Sequence, residues 1–512
     1  MYHQTKDEPT QSFGYLSDFD SVYILGDLIG SGTFGKVYKA VERSTGQEFA
    51  VKRMPKRFGP GGMMDAYYVR RIRNEVDIGN HLGRSLNIAY VYEAFEDDDK
   101  VDIVMELCTG GTLWDAIVCP GVTHGHEYTQ DDACRLVRDI LRVVALCHSQ
   151  GVMIRDIKPD NFLFATSDHA HAPLKAIDFG VSVFCEHGER VDMRAGTPMY
   201  ISPEVLRCDY GLKSDIWSAG MTAYLVLTGK LPFSGDEGED VANDFMNGIA
   251  CANKDIFRAV LYSELDFSDE TWKDVPAGAK DLVQKMLQRN EDDRPHAAEC
   301  LQHEWILSLE EDAPKKHTVV QRLQRFGTYG LLKQTALRKM AHVATHLNLS
   351  KALEQGMEDL GIRTLPDGRI TKSDLENVLQ GGEFDLSRLE AEQLMAQITC
   401  DDKDDAIDPA DWCAAMTEWK AIRDTGEWEQ LLSEVFASAD IDNDDALGVG
   451  DVERLLCGEE GCDVSDMVDA AIREADSDGD GALSFGDFKT FLSNHESELD
   501  FFDDRTSSTH ND

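Results

Sequence analysis

Between Gly30 and Gly35 the chain reads G-S-G-T-F-G, and the next predicted element is a second strand rather than a helix. The flanking runs Y-I-L-G-D-L-I, K-V-Y-K-A-V and E-F-A-V-K are β-branched and aromatic, which predicts three strands joined by tight turns over residues 23–52. A glycine loop that opens a helix would suggest a dinucleotide fold, and a loop that closes a hairpin rules this out. Glycines let the main chain approach an anion and turn its N–H groups toward it. By itself the pattern is weak, because any turn-rich loop can look this way. Its weight comes from the residues that stand downstream, in order.

Lys52 ends the third strand, and the helical run V-R-R-I-R-N-E-V-D-I offers Glu75 as its partner. That pair would hold the ammonium against the α- and β-phosphates of a nucleotide. M-I-R-D-I-K-P-D-N then supplies Asp156 as acceptor of a hydroxyl proton, Lys158 as stabiliser of a transferred phosphoryl group, and Asn161 as a metal ligand. I-D-F-G adds Asp178, placed to bind the Mg²⁺ that bridges the phosphates. Each piece is unremarkable alone; the order and spacing together are specific. Residues 23–306 resemble a complete eukaryotic protein-kinase domain. G-T-P-M-Y-I-S-P-E, D-I-W-S-A-G, D-R-P and H-E-W-I extend the likeness.

The resemblance implies a Mg-ATP site built from Ile29, Gly30, Ser31, Gly32, Thr33, Phe34, Gly35, Lys36 and Val37, with Lys52, Asp178 and a hinge over Glu106 and Cys108. Met105 falls at the gatekeeper position, Glu204 is expected to pair with Arg294, and Lys158 marks a Ser/Thr rather than a tyrosine kinase. Three departures stand out. Ile154 replaces the usual histidine before Arg-Asp and is expected to fill its space, so activity should survive. Glu186, Glu189 and Asp192 crowd a segment with few phosphorylation sites, and one of them is a candidate permanent anion for Arg155. Thr112 stands where basophilic kinases carry a glutamate, leaving Asp160 to read substrate arginines. Protein substrates with Ser/Thr near basic residues are therefore expected, with a weakened preference.

At 512 residues the chain exceeds a single core, and the net charge of −45 is uneven. Residues 391–512 hold 34 acidic against 7 basic side chains, which disfavours nucleic acid and favours cations or basic helices as partners. From Ala313 to Leu353 there are eight basic residues and no acidic one. No long apolar run predicts a membrane span. The start is not a signal peptide, and Tyr2 in place of glycine argues against N-myristoylation. Twelve scattered cysteines without a C-x-x-C pair suggest reduced thiols in the cytosol or nucleus. No stable membrane anchor is expected, and the chain reads as a monomer.

Twelve-residue windows begin at Arg363, Cys400, Asp440 and Asp476, spaced by 37, 40 and 36 residues, the period of helix–loop–helix calcium hands. Such hands occur in pairs. The third window presents Asp440, Asp442, Asp444, the Ala446 carbonyl and Asp451 to Ca²⁺; the fourth presents Asp476, Asp478, Asp480, the Ala482 carbonyl and Asp487. The first window has lost two ligands, with Arg363 and Leu365 in their places. The first is read as structural; the second keeps Asp402, Asp404 and Asp411 but starts with cysteine, and is read as a solvated acidic turn with ion binding left open. All four end in aspartate where glutamate is usual, which should lower calcium affinity or admit Mg²⁺.

Between the halves Leu332, Ala336, Met340, Val343 and Leu347 recur at helical steps among basic residues, a pattern that a calmodulin-like domain binds. Arg322, Arg325 and Thr328 also mimic a basophilic substrate. Kinase, basic junction and four hands in this order resemble the calcium-dependent protein kinases over about residues 23–495. The implied fold is multidomain: an α+β bilobal protein-kinase fold followed by an all-α EF-hand, calmodulin-like two-lobe domain. The expected divisions are a disordered extension at 1–22, the kinase at 23–306 and an autoinhibitory junction helix at 307–349. A degenerate hand pair at 350–420, a calcium-binding pair at 421–495 and an acidic tail at 496–512 complete the chain. ATP, Mg²⁺ and Ca²⁺ are the implied cofactors. A constitutive kinase with structural hands and a pseudokinase scaffold with a calcium-sensor tail remain as alternatives.

Overall fold

The computed structural model describes residues 12–32, 34–57, 66–118, 128–233, 252–311, 320, 322–323, 326–327, 329–344, 369–381, 388–396, 398, 406–417, 419–423, 427–457, 468, 471–473, 475–476 and 480–493. Thr33, Arg325, Thr328, Leu347, Asp478, the acidic tail and the starts of the first two windows (363–368 and 400–405) lie outside these. The chain divides into two compact units, residues 1–148 with 152–296 and residues 149–151 with 297–512.

The first unit begins with the antiparallel sheet that the alternating runs demand. Strands β1 (Tyr23–Ser31), β2 (Lys36–Glu42), β3 (Glu48–Pro55), β4 (Val91–Glu96) and β5 (Lys100–Met105) lie in the order β1-β2-β3-β5-β4. Helix α1 (Phe19–Val22) precedes the sheet, and α2 (Ala66–Leu82) packs on one face of it. Successive side chains of a strand point to opposite faces. Ala50 and Met54 of β3 therefore meet Tyr68, Ile72 and Val76 of α2, while Phe49 and Val51 meet Phe19, Tyr23 and Phe95 on the far side. Lys52 shares the parity of Ala50 and Met54 and faces α2. The helix lies close to the sheet at Gly79, where a Cβ would sit 2.6 Å from a Val91 methyl.

The expectation that residues 1–22 are disordered is corrected from Ser12 onward. Phe19 is 5% exposed and covers the outer face of the sheet, stacking on Tyr23 and meeting Phe95 edge-on. The Leu16 N–H donates to the Ala94 carbonyl, and the backbone N–H groups of Phe13, Gly14 and Tyr15 converge on the Glu96 carboxylate. An apolar sheet face with no helix of its own needs a cover, and the preceding chain supplies it.

Beyond the sheet come α3 (Leu113–Val118), α4 (Gln130–Ser149), the short strands β6 (Val152–Met153), β7 (Phe162–Phe164), β8 (Leu174–Ala176) and β9 (Val183–Phe184), then α5 (Pro203–Arg207) and α6 (Lys213–Thr228). Helix α6 is buried along nearly all its length, as an apolar core helix should be. The hairpin β7–β8 pairs Phe162 with Ala176, and the Ile177 N–H donates to the Asn161 carbonyl. Two loops distant in sequence, one before β7 and one after β8, are thereby brought side by side.

In the second unit each described hand follows its hydrophobic eighth position. Ile370 pairs with Ile407 and Leu447 with Leu483 across two-residue antiparallel strands, each residue at most 1% exposed. The first window is thus joined to the second, and the third to the fourth. Helix Leu331–Ala344 buries Leu332, Ala336 and Met340 as the spacing predicts, but Val343 is only partly covered and Ala344 takes the buried place. This helix packs against helices Pro409–Met416, Glu427–Ala439 and Val449–Cys457. Helix Glu304–Glu311 runs through residue 306, where the kinase was expected to end.

Candidate active site and calcium loops

The cleft residues anticipated from sequence come from the middle of β3, which runs on past Lys52 to Pro55, from the middle of α2, and from the loops that flank the β7–β8 hairpin. The Lys52 Nζ lies 2.7 Å from Glu75 Oε1 and 3.4 Å from Asp178 Oδ1. Burial alone would lower the lysine's affinity for its proton, but Glu75 and Asp178 outweigh it, so Lys52 stays charged. Burial pushes the Glu75 carboxyl upward, and the neighbouring Asp178 adds to that against the pull of Lys52. Asp178 goes the other way: its burial is more than offset by Lys52 and Arg71, which hold it well below the usual carboxylate range. Asp178 sits at φ 65° and Arg155 at φ 67°, left-handed conformations that non-glycine residues adopt at a cost and that cluster at functional loops.

Asp156 is fixed through both oxygens. Thr197 donates its hydroxyl to Oδ1 at 2.6 Å, while Lys158 Nζ at 2.8 Å and Asn161 Nδ2 at 3.1 Å donate to Oδ2. Lys158 also donates to the Thr197 hydroxyl at 2.8 Å. The Asn161 amide nitrogen is spent on Asp156, so its side-chain oxygen is the atom offered to a hard cation. Asn161 and Asp178 together make an oxygen donor set of the kind Mg²⁺ takes.

The glycine loop closes with the Gly32 N–H donating to the Gly35 carbonyl at 3.0 Å. Its Phe34 carbonyl accepts from the Tyr68 hydroxyl at 2.9 Å, tying the loop to α2. Ile29, Gly30, Ser31, Lys36 and Val37 flank it on β1 and β2, with Gly30 opposite Val37. At the expected hinge the Glu106 carboxylate turns inward to fully buried Lys175, 2.9 Å away. Cys108 is half-buried, and burial pushes its thiol up to about 12.

Ile154 is 7% exposed and fills its site as expected. The main chain there is held by Asp215, which accepts from the N–H groups of Ile154 and Arg155 at 2.8 Å each. Glu204 and Arg294 form the anticipated buried fork. The permanent anion proposed for Arg155 is corrected: its guanidinium donates to the Val181 carbonyl at 2.7 Å and the Tyr210 hydroxyl at 3.3 Å. The segment is ordered instead by Arg190, which reaches Asp209 at 2.9 Å and Glu291 at 2.7 Å.

The third calcium window gathers Asp440, Asp442 and Asp444 with oxygens within 4.8 Å of one another. Asn443 and Asp445 take positive φ, 56° and 66°, and Asp445 stands at the sixth position, where a glycine is usual in such a loop. The carboxyl of Asp442 is raised by Asp444 and its other acidic neighbours, the mark of a negative cluster that a cation would neutralise. Asp451 closes the loop, accepting from the N–H groups of Ile441 and Gly448 at 3.0 Å each. In the fourth window Gly481 turns at φ 90° and its N–H donates to Asp476 Oδ2 at 2.8 Å. Asp480 accepts from Ala482 at 3.0 Å, and Asp487 from the Ser484 N–H at 3.0 Å. Among the described residues the third loop gathers the oxygen cluster that fits a hard, oxygen-seeking cation.

Comparison with known proteins agrees with this geometry. The family model of the protein kinase domain matches residues 23–306, and that of the EF-hand domain pair matches residues 429–493. Calcium-dependent protein kinase 25 of Arabidopsis thaliana is 37% identical over 422 residues, 82% of this chain and 75% of the relative. Calcium-dependent protein kinase 7 of the same plant is 34% identical over 89% of this chain and 80% of its own length. Calcium-dependent protein kinase 11 of Oryza sativa subsp. japonica is 35% identical over 88% and 75%. The chain belongs to the calcium-dependent protein kinase family. As a calcium-dependent protein kinase it is a protein serine/threonine kinase; the kinase domain implies ATP and Mg²⁺, and the hands imply Ca²⁺. Among the described residues no helix is long and apolar enough to cross a membrane.

Three residues of this kinase's cleft escaped the motif reading. Thr197 lies within the quoted G-T-P run, but its bond to Asp156 spans 41 residues. Lys175 carries no motif. Arg71 sits one helical turn before Glu75, and its only sequence signal is a basic residue on the face of α2 that carries Glu75.

Proposed function

We propose that Asp156 takes the proton from a substrate Ser or Thr hydroxyl as that oxygen bonds to the γ-phosphorus and the bond to the ADP oxygen breaks. The observation that carries this reading is the double anchoring of Asp156, by Thr197 on one oxygen and by Lys158 and Asn161 on the other. Lys158, within reach of the same oxygen, neutralises charge on the phosphoryl group in flight. Lys52, braced by Glu75, holds the α- and β-phosphates, and the glycine-loop N–H groups cover them. Asn161 and Asp178 would hold Mg²⁺, which when bound neutralises the phosphate oxygens. The Thr112 hydroxyl is spent on Asp115 at 2.7 Å, so recognition of a substrate arginine falls to Asp160.

The same reading makes activity depend on calcium. Helix Leu331–Ala344 shares its packing with helices Glu427–Ala439 and Val449–Cys457, which flank the third loop. Ion binding that moves those helices must move or regrip the junction helix. Without calcium the junction restrains the kinase, and with calcium the hands hold it in a permissive position. The test is phosphorylation of a basic Ser peptide by the full chain with Mg-ATP, in calcium or in chelator. Wild type should turn over at least about tenfold faster in calcium, and Asp156→Ala should lose about 10³-fold of that rate while remaining folded, on the order expected for general-base loss. Equal rates in calcium and chelator would refute the switch; no turnover in either would refute the kinase roles.

A further inference from the structure

Arg71 is a buried cation that none of the roles above uses. It is 6% exposed, one turn before Glu75 on α2. Its Nη2 donates to both oxygens of Asp178, at 2.7 Å to Oδ1 and 2.9 Å to Oδ2. The guanidinium lies over the Phe34 ring, 4.0 Å from its centroid, and so touches the glycine loop as well. Its Nε is buried without a hydrogen-bond partner. A Cβ on Gly180 would come within 2.7 Å of the Arg71 Cγ and 2.9 Å of its Nε, so the arginine fills the space beside the Asp-Phe-Gly turn. Lys52 stands 3.4 Å from the same Oδ1, and Asp178 therefore faces two cations.

We propose that Arg71 is the resident counter-ion of Asp178, neutralising the carboxylate before nucleotide enters the cleft and competing with Mg²⁺ for it afterwards. The inference rests on the reading of Asp178 as a metal ligand. Mg²⁺ needs oxygen at about 2.1 Å with near-octahedral freedom around it. Here both oxygens already receive N–H groups from a guanidinium fixed by an aromatic face and a glycine-lined wall. A divalent ion on that carboxylate would also stand beside a like charge in a partly buried site, where repulsion is incompletely screened. The guanidinium must turn away before the metal seats fully. Arg71 is thus a positioning residue: it keeps Asp178 aimed into the cleft without metal and sets the metal concentration at which nucleotide becomes productively bound.

The test uses the full chain with its hands saturated by Ca²⁺ and its cleft saturated with ADP. Mn²⁺, a spectroscopic stand-in for Mg²⁺, is titrated in, and the unbound ion is read by electron paramagnetic resonance. Arg71→Met should lower the Mn²⁺ midpoint at least fivefold. Arg71→Lys, which keeps the charge but loses the planar fork, should fall between that variant and wild type. An unchanged or raised midpoint in Arg71→Met overturns the proposal, as does weaker ADP binding in chelator, which would make Arg71 a phosphate ligand. If Arg71→Met does not fold, Arg71→Lys decides against wild type: a lower midpoint supports competition, and an equal or higher one overturns it. Asp178→Asn is the separate control. If it leaves metal binding unchanged, the metal-ligand reading fails, whatever Arg71 does.

Discussion

Glu96 shows how one side chain can order a segment that composition marks as loose. Its carboxylate accepts from three consecutive backbone N–H groups, Phe13 to Tyr15, and pairs with Lys56 at 2.6 Å. Burial would raise its proton affinity, but Lys56 and the backbone donors win and lower it to about 2 from 4.5. A carboxyl depressed in the folded state contributes stability that is complete above its unfolded value near 4.5 and is lost as pH falls toward 2. Glu96→Gln should cost about 2 kcal/mol of local stability, the range for losing a charged hydrogen-bond acceptor. Hydrogen exchange at the amides of Phe13, Gly14 and Tyr15 measures this. They should be protected at about pH 6 in wild type, lose protection below about pH 4, and exchange freely at about pH 6 in the variant. What sequence could and could not disclose separates at this scale. Lys52, Glu75, Asp156, Asn161 and Asp178 sit in short runs whose order and spacing mark them as one set. Glu96, Thr197 and Arg71 act across 83, 41 and 107 residues, and no local pattern records such a meeting.

Among elements, the hands were legible because one position in twelve must be apolar for the loops to pair. Ile370, Ile407, Leu447 and Leu483 keep that position even where ligands are lost, which is why a loop beginning with arginine still belongs to the set. The N-terminal cover over the sheet was not legible, since Phe19 lies in no periodic run; only the uncovered sheet face explains it. The strand pair also carries energy between loops. Leu447 is fully buried against Leu483, so Leu447→Ala removes packing shared by the third and fourth windows. The expected cost is about 3 kcal/mol to the pair, in the range for buried leucine truncation. Because both loops hang from one two-residue ladder, calorimetric titration should show weaker calcium binding at both sites, not one. Loss confined to the third site would mean that the loops fold independently.

For the molecule as a whole, the question is how ion occupancy in one unit is felt as rate in the other, and linkage constrains the answer. Arg338 of the junction helix lies 3.1 Å from Asp411, the residue closing the second window, and Arg322 donates to the Met416 carbonyl at 2.8 Å. Leu337, 2% exposed, anchors the same helix from its apolar side. If calcium strengthens the hands' hold on this helix, the hold must strengthen calcium binding by the same factor, typically about 5- to 150-fold for a coupling of about 1–3 kcal/mol. Leu337→Asp buries a charge in that contact and should break the hold. Two losses are then expected together in the full chain. Calcium affinity should fall about tenfold by calorimetry, and the calcium-stimulated rate should drop toward the chelator rate at any calcium level that does not compensate. Restoring the rate with proportionally more calcium would fit a weakened but intact coupling. Stimulation retained with calcium affinity unchanged would place the helix's grip outside the switch. In that case the packing of helix Leu331–Ala344 against the hands serves only to bury it, and control of the Asp156 and Lys52 machinery must run through another contact.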